Sequence, residues 1–244
     1  MVSSFWRGKR VLVTGHSGFK GSWLCLWLAS LGAEPVGFSA GLPTHPALFE
    51  LSGMDSQVRS IEGDVRDADG VLEAVERERP EIVFHLAAQS LVGRSLASPA
   101  LTYEVNAMGT VNLLEAVRRS GDVRVVVNVT TDKCYENRGW VWGYREHEPL
   151  GGRDPYSSSK ACAELITAAY RASFADGDRP GIASARAGNV IGGGDFGEDR
   201  LIPDLMRGAR ERRVSGVRNP GAVRPWQHVL SPLSGYLVLA ERLW

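Results

Sequence analysis

The sequence has no net charge, because its 28 basic and 28 acidic residues cancel, so no overall field favours nucleic acid or an anionic membrane surface. No apolar run approaches the roughly 18 residues that a membrane-spanning helix needs, and Met1–Arg10 contains no hydrophobic signal core. The three cysteines form no C-x-x-C pair, so neither a disulfide framework nor a metal site is predicted. These absences predict a cytoplasmic protein with reduced thiols and no nucleic-acid or membrane partner.

Lysine is also scarce, with four residues against 24 arginines. A lysine inside a chemical motif is therefore less easily explained as a random surface residue. The remaining composition is that of a globular protein, since 43% of its 244 residues are apolar and 23% are charged. At about 150 residues per domain, this length predicts one or two domains.

Short apolar runs alternate with helical patterns along most of the chain. The predicted strands are 10–14, 35–38, 58–63, 81–86, 123–130 and 182–187, and the predicted helices are 22–31, 67–79, 100–120, 156–174, 201–213 and 230–244. Such alternation predicts an α/β fold with a doubly wound parallel sheet, because parallel strands require crossover connections. Residues 1–180 are predicted to form a nucleotide-binding domain. Residues 181–244 alternate less regularly and are predicted to belong to a second, incomplete lobe.

A glycine cluster follows the first predicted strand, with Gly15, Gly18 and Gly21 spaced G-x-x-G-x-x-G. Glycines at such a turn let the backbone approach a pyrophosphate, which then lies at the helix N-terminus. The cluster lies between a strand and a helix, and this context favours cofactor binding over a purely structural turn.

Two further motifs carry potential acid–base groups. Tyr156 and Lys160 lie four residues apart on one predicted helix, where a lysine charge would lower the tyrosine pKa and favour a proton acceptor. Thr131, Asp132 and Lys133 follow a Val-rich strand, at the strand end where α/β sheets bind ligands. Each motif also has a purely structural interpretation. Tyr156 and Lys160 could be a solvent-exposed pair on a helix, and residues 131–133 could be an ordinary polar loop after a strand. The order of the three motifs along the chain favours the chemical interpretation.

The combined motifs resemble the extended short-chain dehydrogenase/reductase family, and within it the nucleotide-sugar 4,6-dehydratases, most closely those that act on CDP-glucose. The matching stretches are 14–23, 85–89, 130–137, 140–145, 154–160, 185–195 and 223–228. The resemblance implies a Rossmann fold, NAD as cofactor and a nucleotide-sugar substrate. It also implies a homodimer, in which helices 100–120 and 156–174 pair across a four-helix interface, or a higher homo-oligomer.

The resemblance further implies a reaction and a role for each catalytic residue. Tyr156 would take the proton of the sugar C4 hydroxyl, Lys160 would tune Tyr156 and bind the nicotinamide ribose, and Thr131 would hold the C4 oxygen. Asp132 would protonate the departing C6 hydroxyl, and Lys133 would take the C5 proton. Asp132 must then be protonated and Lys133 neutral, so this hypothesis predicts a dry pocket.

Other residues are implied to contact the ligands. The expected cofactor contacts, besides Tyr156 and Lys160, are Gly15, His16, Gly18, Phe19, Gly21, Asp64, Val65, Ala87, Ala88 and Asn106. The expected substrate contacts are Gln89, Asn189, Arg200 and Arg224. The second strand ends Phe38-Ser39, without an acid for the adenosine ribose and without a neighbouring arginine for a 2′-phosphate, so weak binding of NAD in preference to NADP is predicted.

The family usually continues well beyond the position of Trp244, and an exposed Leu239, Leu243 and Trp244 would be a liability in a free monomer. We therefore expect a truncated substrate lobe. Two alternatives stay open at this point. One is another nucleotide-sugar dehydratase or a 4-epimerase, although an epimerase does not need the Asp132-Lys133 pair. The other is a non-catalytic nucleotide-binding fragment.

Overall fold

The computed structural model describes residues 4–174, 180–217 and 219–244. Its strands are β1 (Arg10–Thr14), β2 (Glu34–Ser39), β3 (Arg59–Glu62), β4 (Ile82–His85), β5 (Val125–Val129), β6 (Gly181–Ala185), β7 (Val190–Ile191) and β8 (Gln227–His228). The first six form one parallel sheet in the order β3-β2-β1-β4-β5-β6. This order is that of the dinucleotide-binding Rossmann fold, and it confirms the predicted fold class.

The α-helices are α1 (Phe19–Ser30), α2 (Leu48–Leu51), α3 (Ala68–Glu78), α4 (Val92–Ala97), α5 (Pro99–Tyr103), α6 (Gly109–Ser120), α7 (Pro155–Phe174), α8 (Leu201–Arg210) and α9 (Leu230–Leu243). The predicted continuous helix 100–120 is interrupted by a π-helical turn, Glu104–Met108. Such turns are frequent at functional sites, and this one carries Asn106. No helix in the described parts of the chain is long and apolar enough to cross a membrane.

The centre of the sheet is buried on both faces. Every residue of β4 and β5 is buried, as expected for parallel strands covered by helices on each side. One core layer lies between the sheet and helices α1 and α9, and the other lies between the sheet and helices α3 and α6. The Val-rich sequence of β5 thus reflects its position between the two layers.

The C-terminal part packs differently from the predicted division at 180/181. β6 is the sixth strand of the main sheet, and helix α9 buries Leu233, Tyr236 and Leu237 in the same core as α1. Both elements therefore pack with the main sheet and its core. The loops and helix α8, which lie between β6 and α9 in the chain, are less buried. They do not continue the regular alternation of strands and helices.

The last residues are also packed, contrary to the expectation of an exposed apolar end. The ring of Trp244 lies edge-on to Phe5, with centroids 5.5 Å apart, and Lys9 Nζ lies 3.8 Å from its centroid. Trp6 Nε1 donates a hydrogen bond of 2.7 Å to Glu241 Oε1. Leu239 and Leu243 are partly buried against the same core. The N-terminal turn covers this end, which the local sequence pattern did not indicate.

Candidate active site

The strand order reverses between β1 and β4, so the chain leaves these two neighbouring strands in opposite directions. A crevice therefore forms at their carboxyl ends, where α/β sheets bind nucleotides. The glycine cluster follows β1, and Leu86-Ala87-Ala88 follows β4. The segment Thr130–Lys133 follows β5, the next strand in the sheet. The glycine cluster, residues 86–88 and the segment Thr130–Lys133 thus meet at one edge of the sheet.

The glycine loop is folded too tightly for larger residues. A Cβ on Gly15 would lie 2.7 Å from the Ala87 nitrogen, and Gly15 has a φ of +70°. A Cβ on Gly21 would lie 2.2 Å from the Gly15 carbonyl oxygen. Gly18 caps α1 with extended backbone and no side-chain hydrogen bond. The loop therefore presents backbone to the crevice, and the first turn of α1 is available to an anion.

Two histidines near this loop are packed and neutral. His16 Nε2 lies 2.7 Å from Ser60 Oγ, and its ring lies edge-on to Phe49. Burial lowers the pKa of His16 to about 4. His85 Nδ1 lies 2.7 Å from Thr14 Oγ1, and burial lowers its pKa to about 3. The His16 ring is thus held against β2 and β3, where its contacts stabilise the loop that it belongs to.

The predicted acid and base form an ion pair at the end of β5. Thr131 precedes a short 3-10 turn, Asp132–Cys134, and its hydroxyl donates to Asp132 Oδ1 at 3.1 Å. Lys133 Nζ donates to the same oxygen at 3.1 Å and lies 3.5 Å from Asn189 Oδ1. The side chains of Asp132 and Lys133 are 32% and 36% exposed. The expectation of a dry pocket is therefore wrong for these two groups in the folded chain by itself, because they lie at its open mouth.

Tyr156 and Lys160 lie deeper, at the start of α7. Burial raises the pKa of Tyr156, and its hydrogen bond with Thr131 acts in the opposite direction. The raised pKa is contrary to the lowering predicted from the sequence, because loss of solvent outweighs the favourable interactions. Lys160 Nζ donates to the Val129 carbonyl at 3.0 Å. Burial, assisted by the charge of Lys20, lowers the pKa of Lys160 to about 7.

Lys20 is a site residue that the motif assignments missed. It lies in the first turn of α1, and its charge interacts with those of Arg200, Lys133 and Asp132. Burial, assisted by the two cations, lowers its pKa to about 8. Three of the four lysines of the protein thus converge on one crevice. The scarcity of lysine was the signal that could have identified Lys20.

Asn106 and Gln89 support the loop after β4 through their own amides. Asn106 Nδ2 donates to the Gln89 carbonyl and to Ser159 Oγ, and its Oδ1 accepts from the Gln89 nitrogen. The Gln89 side chain bonds Thr102 and both backbone groups of Leu91. These side chains are thus engaged within the protein, and the geometry makes them supports of the site.

Asp64, Val65 and Phe19 are also expected cofactor contacts. Asp64 follows β3 and accepts hydrogen bonds from the Arg66 guanidinium at 2.7 and 3.0 Å, which hold the pKa of Asp64 below its usual value. Val65 is buried, and a Cβ on Gly109 would lie 2.7 Å from the Val65 side chain. Phe19, at the start of α1, lies against Gly192 of the later glycine loop.

The predicted substrate residues separate into two groups. Asn189 lies beside Lys133, and Arg200 donates to both Asp195 oxygens, at 3.0 and 3.1 Å, and to Ser90. Arg200 also affects the pKa of Tyr156. Both residues therefore border the crevice. Arg224 is exposed, and its guanidinium donates to the neighbouring Val223 carbonyl. The next residue, Pro225, lies beside Gly188, which also borders the Asp132 carboxylate, and contact of Arg224 with the substrate stays a prediction.

The sequence model of the GDP-mannose 4,6 dehydratase family matches residues 12–233. The chain belongs to this family. Within it, the chain is 54% identical over 246 aligned residues to a CDP-glucose 4,6-dehydratase of Salmonella typhimurium, covering 99% of this chain and 68% of that one. It is 32% identical to a dTDP-glucose 4,6-dehydratase of Streptomyces antibioticus, covering 90% and 64%. The chain thus spans about two thirds of the length of these relatives.

Solved structures of family members have the same fold. A dTDP-glucose 4,6-dehydratase of Bacillus anthracis, in complex with NAD, superposes with a TM-score of 0.83 at 25% identity, over 97% of this chain and 73% of that one. The enzyme DesIV of Streptomyces venezuelae, with NAD and TYD bound, gives a TM-score of 0.82 at 28% identity, over 95% and 72%.

Proposed function

We propose that this chain catalyses the 4,6-dehydration of CDP-glucose, giving CDP-4-keto-6-deoxyglucose and water for deoxysugar synthesis. The observation that carries this proposal is the 54% identity to the Salmonella CDP-glucose 4,6-dehydratase along nearly the whole chain. The crevice supports it, because Thr131, Asp132 and Lys133 lie beside Tyr156 and Lys160 there.

NAD is the proposed cofactor, and the crevice fits a dinucleotide. Gly15 and Gly21 leave no room for a Cβ, so the backbone can approach a pyrophosphate at the uncapped start of α1. Lys160 would bind the nicotinamide ribose, and Asp64 and Val65 would border the adenine. When bound, NAD would accept a hydride from C4 of the sugar and return it at C6, so the reaction has no net redox change.

Tyr156 and Thr131 are the proposed partners of the C4 oxygen. The two hydroxyl groups interact in the folded chain, so a C4 hydroxyl between them would accept a hydrogen bond from Thr131 and donate one to the Tyr156 oxygen. Tyr156 takes the proton of the C4 hydroxyl during oxidation. Its raised pKa makes it a poor base in the chain alone, and a charged Lys160 together with the positive nicotinamide would favour the phenolate.

Asp132 and Lys133 are proposed to carry out the elimination. The 4-ketone acidifies the C5 proton, Lys133 takes this proton, and Asp132 gives its proton to the departing C6 hydroxyl. These roles need a protonated Asp132 and an uncharged Lys133, whereas the two groups form a 3.1 Å ion pair in the folded chain. Bound sugar would exclude water from the pair and favour the uncharged forms, because a low dielectric disfavours both charges.

A 4-epimerase is the second candidate, since UDP-glucose 4-epimerases share the fold. An epimerase, however, has no elimination step and no use for an acid and a base at these positions. The Asp132-Lys133 pair therefore favours the dehydratase.

We further propose a homodimer formed through residues 100–120 and 156–174. Large apolar side chains are exposed along these segments, with Met108 at 51%, Leu165 at 60% and Phe174 at 49%. A second copy would cover them in a four-helix arrangement. Light scattering on the wild type and on Leu165→Glu tests this, and a wild-type monomer would remove the proposal. A cytoplasmic location is proposed as well, since the three cysteines are free thiols.

The decisive experiment is incubation of the chain with NAD and CDP-glucose, followed by mass spectrometry of the nucleotide sugar. Loss of one water without accumulation of NADH is the expected result, with dTDP-, UDP- and GDP-glucose as controls for the base and NADP as control for the cofactor. Lys133→Met should abolish exchange of the C5 hydrogen with solvent. If NAD raises the melting temperature but no substrate is consumed, the chain is a nucleotide-binding fragment.

A further inference from the structure

A buried ion pair lies beneath the site and takes no part in the chemistry proposed above. Glu164 is 4% exposed, and its Oε2 accepts hydrogen bonds from Arg186 at 2.9 Å and from Ser184 at 2.6 Å. Its Oε1 accepts from the Thr130 hydroxyl. Burial alone would raise the pKa of Glu164, but these three donors outweigh it and hold the pKa below its usual value. The carboxylate is therefore charged and fully paired.

The Glu164–Arg186 pair holds the segment Thr130–Lys133 from two sides. Thr130, which donates to Glu164, directly precedes Thr131. The backbone nitrogens of Thr130 and Asp132 donate, at 2.9 and 3.1 Å, to the carbonyl groups on either side of Arg186. The segment is thus bonded to the continuation of β6 through its backbone and to α7 through a side chain.

Helix α7 supplies the other half of the site. Glu164 lies one helical turn after Lys160 and two turns after Tyr156, on the same side of the helix. Any shift of Glu164 relative to Thr130 would therefore change the distance between Tyr156 and Thr131.

Arg186 also holds residues 135–150, which follow the 3-10 turn Asp132–Cys134. Its second guanidinium nitrogen donates to the Glu146 carbonyl at 2.9 Å, and its guanidinium carbon lies 4.7 Å from the centroid of the Tyr135 ring. Tyr135 in turn stacks on Tyr144, with centroids 5.1 Å apart. One guanidinium thus joins α7, the end of β6 and the 135–150 segment.

We propose that Glu164 and Arg186 are positioning residues, which act through Thr130 to hold Thr131, Asp132 and Lys133 in register with Tyr156 and Lys160. This inference rests on the proposed function for its kinetic consequence. A buried ion pair by itself adds little to stability, because the cost of desolvation offsets the attraction. The pair instead fixes the positions of the site residues. This matters for the rate, because a displacement of about 1 Å at a catalytic group can reduce it by about 10²-fold.

The test compares variants of the network at a temperature where each is folded. Thr130→Val removes one hydrogen bond and keeps the side-chain volume, and Glu164→Gln removes the charge at nearly constant shape. Both should reduce kcat by about 10- to 10²-fold and leave KM within about threefold of the wild type. Arg186→Lys keeps the charge without the planar fork, so it should retain more activity than Arg186→Met. Asp122→Asn is the matched control, because it breaks a two-bond pair with Arg79 at the surface.

A second readout is independent of turnover. Amide hydrogen exchange across residues 130–134 should be about tenfold faster in Thr130→Val and Glu164→Gln than in the wild type or in Asp122→Asn. If both variants exchange faster than the wild type, as expected, but the wild type consumes no CDP-glucose, the proposed function fails and the positioning role stands. If Thr130→Val folds with wild-type kcat and wild-type exchange, the positioning role is refuted, whatever the outcome for Glu164→Gln.

Discussion

Replacement of Lys160 by methionine should change the stability of the protein in a way that depends on pH. The ammonium group of Lys160 is buried, and it donates a hydrogen bond to the Val129 carbonyl. Burial and the charge of Lys20 lower its pKa from 10.5 to about 7. Methionine has a similar length and carries no charge, so Lys160→Met removes the titration and leaves most of the packing.

The expected size follows from proton linkage. Below pH 7 both the folded and the unfolded chain hold the Lys160 proton, and the folded state carries the full cost of a buried charge, about 5 kcal/mol for a shift of this size. Between pH 7 and 10.5 only the unfolded state keeps the proton, so the free energy of unfolding rises with pH. The slope is about 1.4 kcal/mol per pH unit, because a single proton is released. Loss of the hydrogen bond to Val129 costs about 1–3 kcal/mol at every pH.

The assay is denaturant unfolding of both proteins at pH 6, 7, 8 and 9. The variant should be the more stable protein at pH 6, and its advantage should shrink by about 1.4 kcal/mol per unit above pH 7. Other groups, including Lys20, are present in both proteins and cancel to first order. A difference that stays constant from pH 6 to 9 would show that Lys160 does not titrate in this range, and the argument from burial would fail.

Two other substitutions test the packing directly. Gly21→Ala places a Cβ 2.2 Å from the Gly15 carbonyl oxygen, so it should destabilise the chain by about 1–3 kcal/mol and weaken NAD binding. The control is Gly235→Ala, at an open position in α9. This substitution should raise the free energy of unfolding by about 0.5–1 kcal/mol. Equal effects of the two substitutions on the melting temperature would contradict the tight geometry of the glycine loop. Tyr236→Phe removes a buried hydroxyl that has no hydrogen-bond partner among the described residues. It should therefore raise the free energy of unfolding by about 1–2 kcal/mol in a urea titration, and a destabilised variant would indicate that the hydroxyl has a partner.

Local patterns predicted the sheet and the crevice well, because the signals involved lie within short stretches. The Val run of β5 indicated a strand covered on both faces, and the glycine spacing after β1 indicated the tight turn. The patterns failed where the deciding contacts are distant along the chain. The packing of α9 against the sheet and of Trp244 against Phe5 joins the two ends of the chain, and no window of sequence contains both partners.

The acid–base groups show the same division. The order and spacing of the motifs identified Thr131, Asp132, Lys133, Tyr156 and Lys160 as one set. Their protonation, however, depends on burial. Loss of solvent lowers the pKa of Lys160 and raises that of Tyr156, whereas Asp132 and Lys133 form a partly exposed ion pair.

The sequence by itself determined the α/β alternation, the glycine turn and the family, since these depend on residue type and spacing. Only the tertiary structure decided which charges are desolvated, that Lys20 joins the crevice, and that Glu164 and Arg186 hold the catalytic segment. The physical reason is that solvent exposure and long-range pairing are properties of the folded chain, and residue spacing does not contain them.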